Sequence, residues 1–112
     1  MICDQDAPEL GLVGTPADID TGVLTTLFDA NTIPVIAPLG AGRNGETLNV
    51  NGDTVAGAMA AALAADRLLL LTDVPGVMDE TKTVLTDLTT TQVEEMTASG
   101  VIAGGMIPKT QT

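Results

Sequence analysis

The chain has 112 residues, enough for one domain or for part of a larger one, and 45% of its residues are hydrophobic although Phe28 is its only aromatic residue. A net charge of −11, with only four Lys and Arg residues, argues against a protein that binds the phosphate backbone of nucleic acids. The single cysteine excludes an intrachain disulfide, and the absence of histidine argues against a Cys/His metal site. The sequence contains no apolar run of the ~18 residues that a transmembrane helix needs, so we expect a cytoplasmic protein.

The first half of the chain combines strand-like segments with one amphipathic segment. Apolar residues recur at helical spacing from Ile19 to Phe28, and Asp18 or Asp20 can cap this helix. The pattern predicts, in chain order, a strand or hairpin arm at 9–14, a helix ending near Asn31, a buried strand at 33–37, a mobile glycine loop at 40–45 and a short strand at 47–50.

The second half begins with an Ala-rich segment at 54–65, which is apolar on all sides and predicts a helix buried on more than one face. Four consecutive leucines within 67–72 show no alternation, which is typical of a central parallel strand covered on both faces. Residues 91–98 predict a helix with Val93 and Met96 inward, ended by Gly100 in the left-handed conformation. This alternation of strands and helices predicts an α/β layered fold.

The segment Asn49-Val50-Asn51-Gly52-Asp53 lies where a polar loop becomes the Ala-rich helix. The backbone N–H groups and the partial positive charge of a helix N-terminus can hold an anion. Asp53 can either cap the helix or position cationic groups near a ligand, and the residue pattern leaves both interpretations open.

Two further segments carry residues suited to a ligand. Residues 72–78 (Thr-Asp-Val-Pro-Gly-Val-Met) follow the leucine segment, and ligands of open α/β sheets gather beyond the carboxyl ends of strands. Gly104 and Gly105 let the backbone approach a bulky anion, and Pro108 suits the first position of a helix. Lys109 would then lie in the first helical turn, where the macrodipole disfavours a cation. Either a bound anion offsets this cost or Lys109 is a solvated residue near a frayed terminus, and the two interpretations are equally good. Together these segments predict an anion or nucleotide site that suits phosphoryl transfer.

Five stretches of the sequence resemble the acetylglutamate kinases of the amino acid kinase superfamily. These stretches are residues 11–14, 33–38, 49–54, 69–77 and 104–109. The resemblance runs from about Glu9 to Lys109, and the Asn-Val-Asn-x-Asp spacing distinguishes this family from carbamate kinase, uridylate kinase and glutamate 5-kinase. Gly52 stands where alanine is more usual.

The resemblance implies an ATP-dependent phosphorylation of the side-chain carboxylate of N-acetyl-L-glutamate in arginine biosynthesis. It implies Mg²⁺ held chiefly by the ATP phosphates, with no metal ligand from the protein. Asp53 would orient catalytic lysines, Lys109 would stabilise charge on the transferred phosphoryl group, and Asn49 and Asn51 would bind the acetylglutamate. The implied ATP site comprises Thr72, Asp73, Val74, Pro75, Gly76, Val77, Met78, Val101, Ile102, Ala103, Gly105 and Met106.

The resemblance also implies an architecture, a three-layer αβα sandwich of the amino acid kinase type with a mainly parallel central sheet, incomplete at both ends. Residues 1–65 would belong to the amino-acid lobe and 66–112 to the first part of the nucleotide-binding lobe of a homo-oligomeric parent, without nucleic-acid or membrane partners. The chain therefore resembles an internal fragment. The alternatives are a non-catalytic nucleotide-binding fragment and another amino acid kinase such as glutamate 5-kinase.

Overall fold

The computed structural model of the protein describes residues 1–79 and 81–110. The chain forms two compact units, Met1–Leu68 and Leu69–Thr112. Each unit has its own secondary structure and its own candidate site residues.

The first unit is built on a four-stranded sheet with the order β2-β1-β3-β4. The strands are β1 (Ile2–Gln5), β2 (Gly14–Asp18), β3 (Leu39–Gly42) and β4 (Thr47–Asn49). β1 runs parallel to β3, whereas the β1–β2 and β3–β4 pairs are antiparallel. The sheet of the described residues is therefore mixed rather than mainly parallel, because the connections at 6–13 and 43–46 are too short for the crossover that a parallel pair needs.

The core of the first unit is a small cluster of aliphatic and sulfur-containing side chains. Its buried members are Cys3, Leu48, Val50 and Val55, with Met1 and Met59 packed against them. Cys3 and Leu48 are completely buried, so they bring β1 and β4 onto the same apolar cluster.

The glycines of β3 form a strand instead of the predicted mobile loop. A Cβ atom on Gly40 would collide with Sγ of Cys3 on the neighbouring strand β1. The absence of side chains at Gly40 therefore lets β3 lie close to β1, which is a recognised use of glycine within strands.

Two helices complete the first unit, α1 (Gly22–Asp29) and α2 (Gly52–Ala62). Asp20 Oδ1 accepts a hydrogen bond from the Gly22 N–H at 2.8 Å, and Asn31 adopts a left-handed φ of 53° just beyond α1. The predicted end near Asn31 is thus confirmed. Helix α1 begins only at Gly22, after the predicted Ile19, with Thr21 rather than Asp18 or Asp20 at the N-cap position. Its predicted apolar face is largely open, since Leu24 is its only buried residue, and α2 likewise buries only Val55 rather than several sides.

Two predicted strands, at 33–37 and 67–72, do not form among the described residues, where these segments are irregular. The strand predicted at 9–14 is present only at its end, because Val13 forms a bridge with Asn49 and Gly14 begins β2, whereas Pro8–Leu10 is a 3₁₀ turn. Val35 and Leu71 are 97% and 94% exposed. A strand requires hydrogen bonds from a neighbour, and no strand within residues 1–79 and 81–110 pairs with either irregular segment.

The second unit contains α3 (Thr90–Ala98) and α4 (Met106–Thr110). Thr89 and Gln92 form a capping box at the start of α3, because each side chain bonds the other residue's backbone N–H. Gly100 has a φ of 80°, which confirms the predicted left-handed end of this helix. No helix of the described part of the chain is long and apolar enough to cross a membrane.

Candidate functional site

The two amides of the Asn49–Asp53 segment reach the same side of the chain. Leu48 and Val50 are buried, whereas Asn49 and Asn51 are exposed, so burial alternates with the period of two that is expected of an extended chain. The backbone is fixed by hydrogen bonds from the Asn49 N–H to the Leu12 carbonyl at 2.8 Å and from the Val50 N–H to the Pro38 carbonyl at 3.0 Å. Val50 thus anchors the segment in the core and presents both amides outward.

The N-terminus of α2 is capped by Asn51. Its side-chain Oδ1 accepts hydrogen bonds from the backbone N–H groups of Asp53 at 2.9 Å and Thr54 at 3.2 Å. Asp53 is therefore the second residue of the helix rather than its cap, and its negative charge lies in the first turn, where the macrodipole favours it. Of the two interpretations of Asp53, helix capping is therefore contradicted, because Asn51 makes the capping bonds.

A cavity of about 250 Å³ in the second unit brings together two of the predicted ATP segments. From the first segment it is lined by Gly76, Val77 and Met78, and from the second by Val101, Ile102 and Ala103, with Met106 of α4 beside them. These residues are separated by more than 20 positions in the sequence, so the folding of this unit creates the cavity. Its volume falls just below the ~300 Å³ lower limit of most small-molecule pockets and suits one part of a nucleotide, such as the base.

Several residues of the predicted ATP set do not line this cavity. They are Thr72, Asp73, Val74, Pro75 and Gly105. The first four lie in the irregular chain before the cavity segment, where the Thr72 hydroxyl donates to the Asp73 carboxylate at 3.3 Å.

Two cavity residues, Asp79 and Lys82, were not predicted from the sequence. They lie in a tight connection between Met78 and Val84, which pair as an antiparallel bridge. The available signal was Asp79, directly after the 72–78 segment, since Asp side chains commonly accept hydrogen bonds from backbone N–H groups two residues on.

Asp79 organises this connection. Its Oδ1 accepts hydrogen bonds from the Thr81 hydroxyl at 2.6 Å, the Thr81 N–H at 2.8 Å and the Thr83 N–H at 2.9 Å. These bonds favour the ionised carboxylate, so the Thr81 hydroxyl and the Thr83 and Thr81 N–H groups hold the pKa of Asp79 below its ordinary value.

The four cations of the chain differ in their surroundings. Arg43 forms an exposed ion pair with Asp4 at 2.6 Å, and its hydrogen bond lowers the pKa of Asp4. Lys109 lies in α4, three residues after Met106, and these two positions share one face of a helix. Lys109 is thus on the helix that contributes Met106 to the cavity.

The described residues offer no cluster of three or more His, Cys, Asp or Glu side chains that could hold a metal ion. Within residues 1–79 and 81–110, a divalent cation would thus depend on ligands from a bound phosphate group or from water.

Comparisons with known proteins identify the relatives of this chain. The family model described as "Amino acid kinase family" matches residues 2–112. Acetylglutamate kinase from Ruegeria pomeroyi is 65% identical over 112 residues, and that from Dinoroseobacter shibae is 61% identical over 112 residues. The chain is covered completely in both alignments but spans only 39% of the length of each relative. The crystal structure of smu.665 from Streptococcus mutans UA159 matches 98% of the chain and 45% of its own length, with a TM-score of 0.92 and 39% identity.

Proposed function

The chain belongs to the amino acid kinase family, and from this membership we propose that it is part of an enzyme that phosphorylates the side-chain carboxylate of N-acetyl-L-glutamate with ATP. The observation that carries the proposal is the 65% identity to an acetylglutamate kinase over every residue of the chain. Arginine biosynthesis, a cytoplasmic location and a homo-oligomeric parent enzyme form part of the same proposal.

In the proposed reaction, a carboxylate oxygen of acetylglutamate forms a bond to the γ-phosphorus of ATP while the bond to the bridging oxygen of ADP breaks. Catalysis of such a transfer consists mostly of positioning the reactants and stabilising charge. Mg²⁺ would be held mainly by the ATP phosphates and water, and it would neutralise part of the charge on those phosphates.

The acetylglutamate-binding residues of the proposal belong to the first unit, and residues 1–65 would form part of the amino-acid lobe. Asn49 and Asn51 would donate hydrogen bonds from their exposed amide groups to the substrate. Because the Oδ1 atom of Asn51 is engaged by the helix backbone, its NH₂ group is the part left to face a ligand. Asp53 would orient catalytic lysines, a role supported by its negative charge in the first turn of α2.

The proposed ATP-binding residues belong to the second unit, and residues 66–112 would form the first part of the nucleotide-binding lobe. The apolar cavity formed by residues 76–78 and 101–103 supports binding of the adenine base. Thr72, Asp73, Val74, Pro75 and Gly105 would contact other parts of ATP outside the cavity. Lys109 would stabilise charge on the transferred phosphoryl group.

The proposal is tested with a chimera in which these 112 residues replace the matching segment of the Ruegeria pomeroyi enzyme. The chimera is expected to form acetylglutamyl phosphate from ATP and acetylglutamate. Asp53→Asn and Lys109→Ala should each lower kcat by about a hundredfold or more, the range measured when a charge-stabilising group is removed from an active site. Asp66→Asn, which removes the same charge outside the proposed site, is the matched control for Asp53→Asn.

Three results would overturn the proposal. The first is an unchanged kcat in both site variants. The second is a preference of the chimera for glutamate over acetylglutamate, which would favour a glutamate 5-kinase. The third is binding of ATP without turnover, which would favour a non-catalytic nucleotide-binding module.

A further inference from the structure

The cavity of the second unit is bordered by a hairpin whose connecting segment is held by Asp79. The Asp79 N–H donates to the Thr83 carbonyl at 3.0 Å, the Lys82 N–H donates to the Asp79 carbonyl at 3.0 Å, and the Leu85 N–H donates to the Val77 carbonyl at 2.8 Å. This ladder and the three bonds to Asp79 Oδ1 fix the backbone of Lys82 at the edge of the cavity.

Lys82 has a left-handed backbone conformation, with a φ of 64°. Glycine is favoured in this conformation because a Cβ atom makes it costly. Lysine therefore occupies a position where glycine would be more stable. Residues in such conformations cluster at ligand-binding sites, because the surrounding structure holds them there for function.

Lys82 is a positively charged residue at the cavity, and it therefore suits binding of an anionic group. Among the described residues that line the cavity, Asp79 and Lys82 are charged, and the others are aliphatic, methionine or glycine. The Asp79 carboxylate is engaged by the connecting segment itself through Oδ1. For Lys82, the described part of the chain provides no side-chain hydrogen bond or ion pair.

We infer that Lys82 binds the phosphate groups of the nucleotide whose base occupies the cavity lined by residues 76–78 and 101–103. This inference rests on the proposed function. It adds a second lysine to the proposed nucleotide site, because Lys82 follows the 76–78 segment of the sequence and Lys109 follows the 101–103 segment. The apolar side chains of the cavity contact the base, and the ammonium group of Lys82 binds the negatively charged phosphate groups that extend from the nucleoside.

The test measures binding of ATP and of adenosine to the 112-residue chain by calorimetry, with Lys82→Gly as the main variant. Compared with the unaltered chain, Lys82→Gly should have an about tenfold higher dissociation constant for ATP, which is typical for loss of one charged hydrogen-bonding contact. Its dissociation constant for adenosine should change less than about twofold. Lys82→Arg should restore most of the ATP affinity, since it retains the charge. The ATP affinity of the unaltered chain should also fall with added KCl more steeply than that of Lys82→Gly.

Two controls separate charge from structure. Asp87→Gly replaces another left-handed residue, with a φ of 59°, and should leave the ATP affinity unchanged. Ala103→Phe fills the cavity from an exposed position and should weaken binding of both ATP and adenosine.

The inference is overturned if the unaltered chain does not bind ATP, if Lys82→Gly binds ATP as tightly as the unaltered chain, or if it loses ATP and adenosine affinity equally. These binding measurements contain no acetylglutamate. A chimera that fails to phosphorylate acetylglutamate would therefore overturn the proposed function while leaving a Lys82-dependent ATP affinity intact.

Discussion

The side chain of Asn51 accepts a hydrogen bond from the backbone N–H of Asp53 at 2.9 Å. The two polar residues of the Asn-x-Asp sequence thus have separate roles, since Asn51 satisfies the free N–H groups of the helix and Asp53 adds negative charge to its first turn.

Replacing Asn51 by alanine should lower the free energy of unfolding of the chain by ~1 kcal/mol, the usual value of an N-cap side chain. Asn51→Asp should retain most of the stability, because aspartate offers the same acceptor. Asn49→Ala removes an equivalent amide that is exposed at the end of β4, and it should change stability by less than ~0.5 kcal/mol. Urea unfolding followed by circular dichroism provides the comparison. Equal stability of the Asn51→Ala and Asn49→Ala variants would contradict the capping role.

Gly40→Ala should destabilise the first unit by ~1–3 kcal/mol, because the added methyl group would force Cys3 and the β1–β3 pair apart. Gly52→Ala is the matched control. It adds the same methyl group at the start of α2, where no atom lies within 4 Å of the new Cβ, and it should leave stability unchanged or raise it by up to ~1 kcal/mol. Thermal unfolding of both variants measures the difference. A Gly40→Ala protein as stable as the unaltered chain would show that β3 does not lie against Cys3.

The stability of the second unit should depend on pH through Asp79. The Thr81 hydroxyl and the Thr83 N–H lower the pKa of Asp79 in the folded protein relative to the unfolded chain. The contribution of this carboxylate is therefore fully present above about pH 4, where the unfolded Asp79 is ionised, and it is lost as the pH falls through the lower folded-state value.

Asp79→Asn should flatten this dependence, because asparagine can still accept hydrogen bonds but does not titrate. The measurement is the urea midpoint at several pH values between about 2 and 7. Asp66→Asn, which removes the same charge outside the connecting segment, should retain the slope of the unaltered chain. If the urea midpoint of Asp79→Asn depended on pH as steeply as that of the unaltered chain, Asp79 would not be the source of the pH dependence.

Sequence patterns identified the features that depend on neighbouring residues. The end of α1 near Asn31 and the left-handed Gly100 were predicted correctly, since left-handed termini are decided within a few residues. The resemblance to the amino acid kinases, confirmed by the match over residues 2–112, depended on the order of short motifs along the chain.

Features that depend on distant residues were decided by the tertiary structure. Apolar runs at 33–37 and 67–72 have the composition of strands, but a strand forms only where another segment supplies its hydrogen bonds. Conversely, Gly40 lies in a strand because Cys3, far away in the sequence, requires a neighbour without a side chain.

The sequence by itself determined the family, the α/β class and the identities of most candidate site residues, because these are recorded in local composition and motif order. Only the tertiary structure decided that Gly40 lies against Cys3, and that Lys82 shares a cavity with residues 101–103. The physical reason is that hydrogen-bond geometry and cavities depend on which side chains meet in space, and a one-dimensional pattern does not specify those distances.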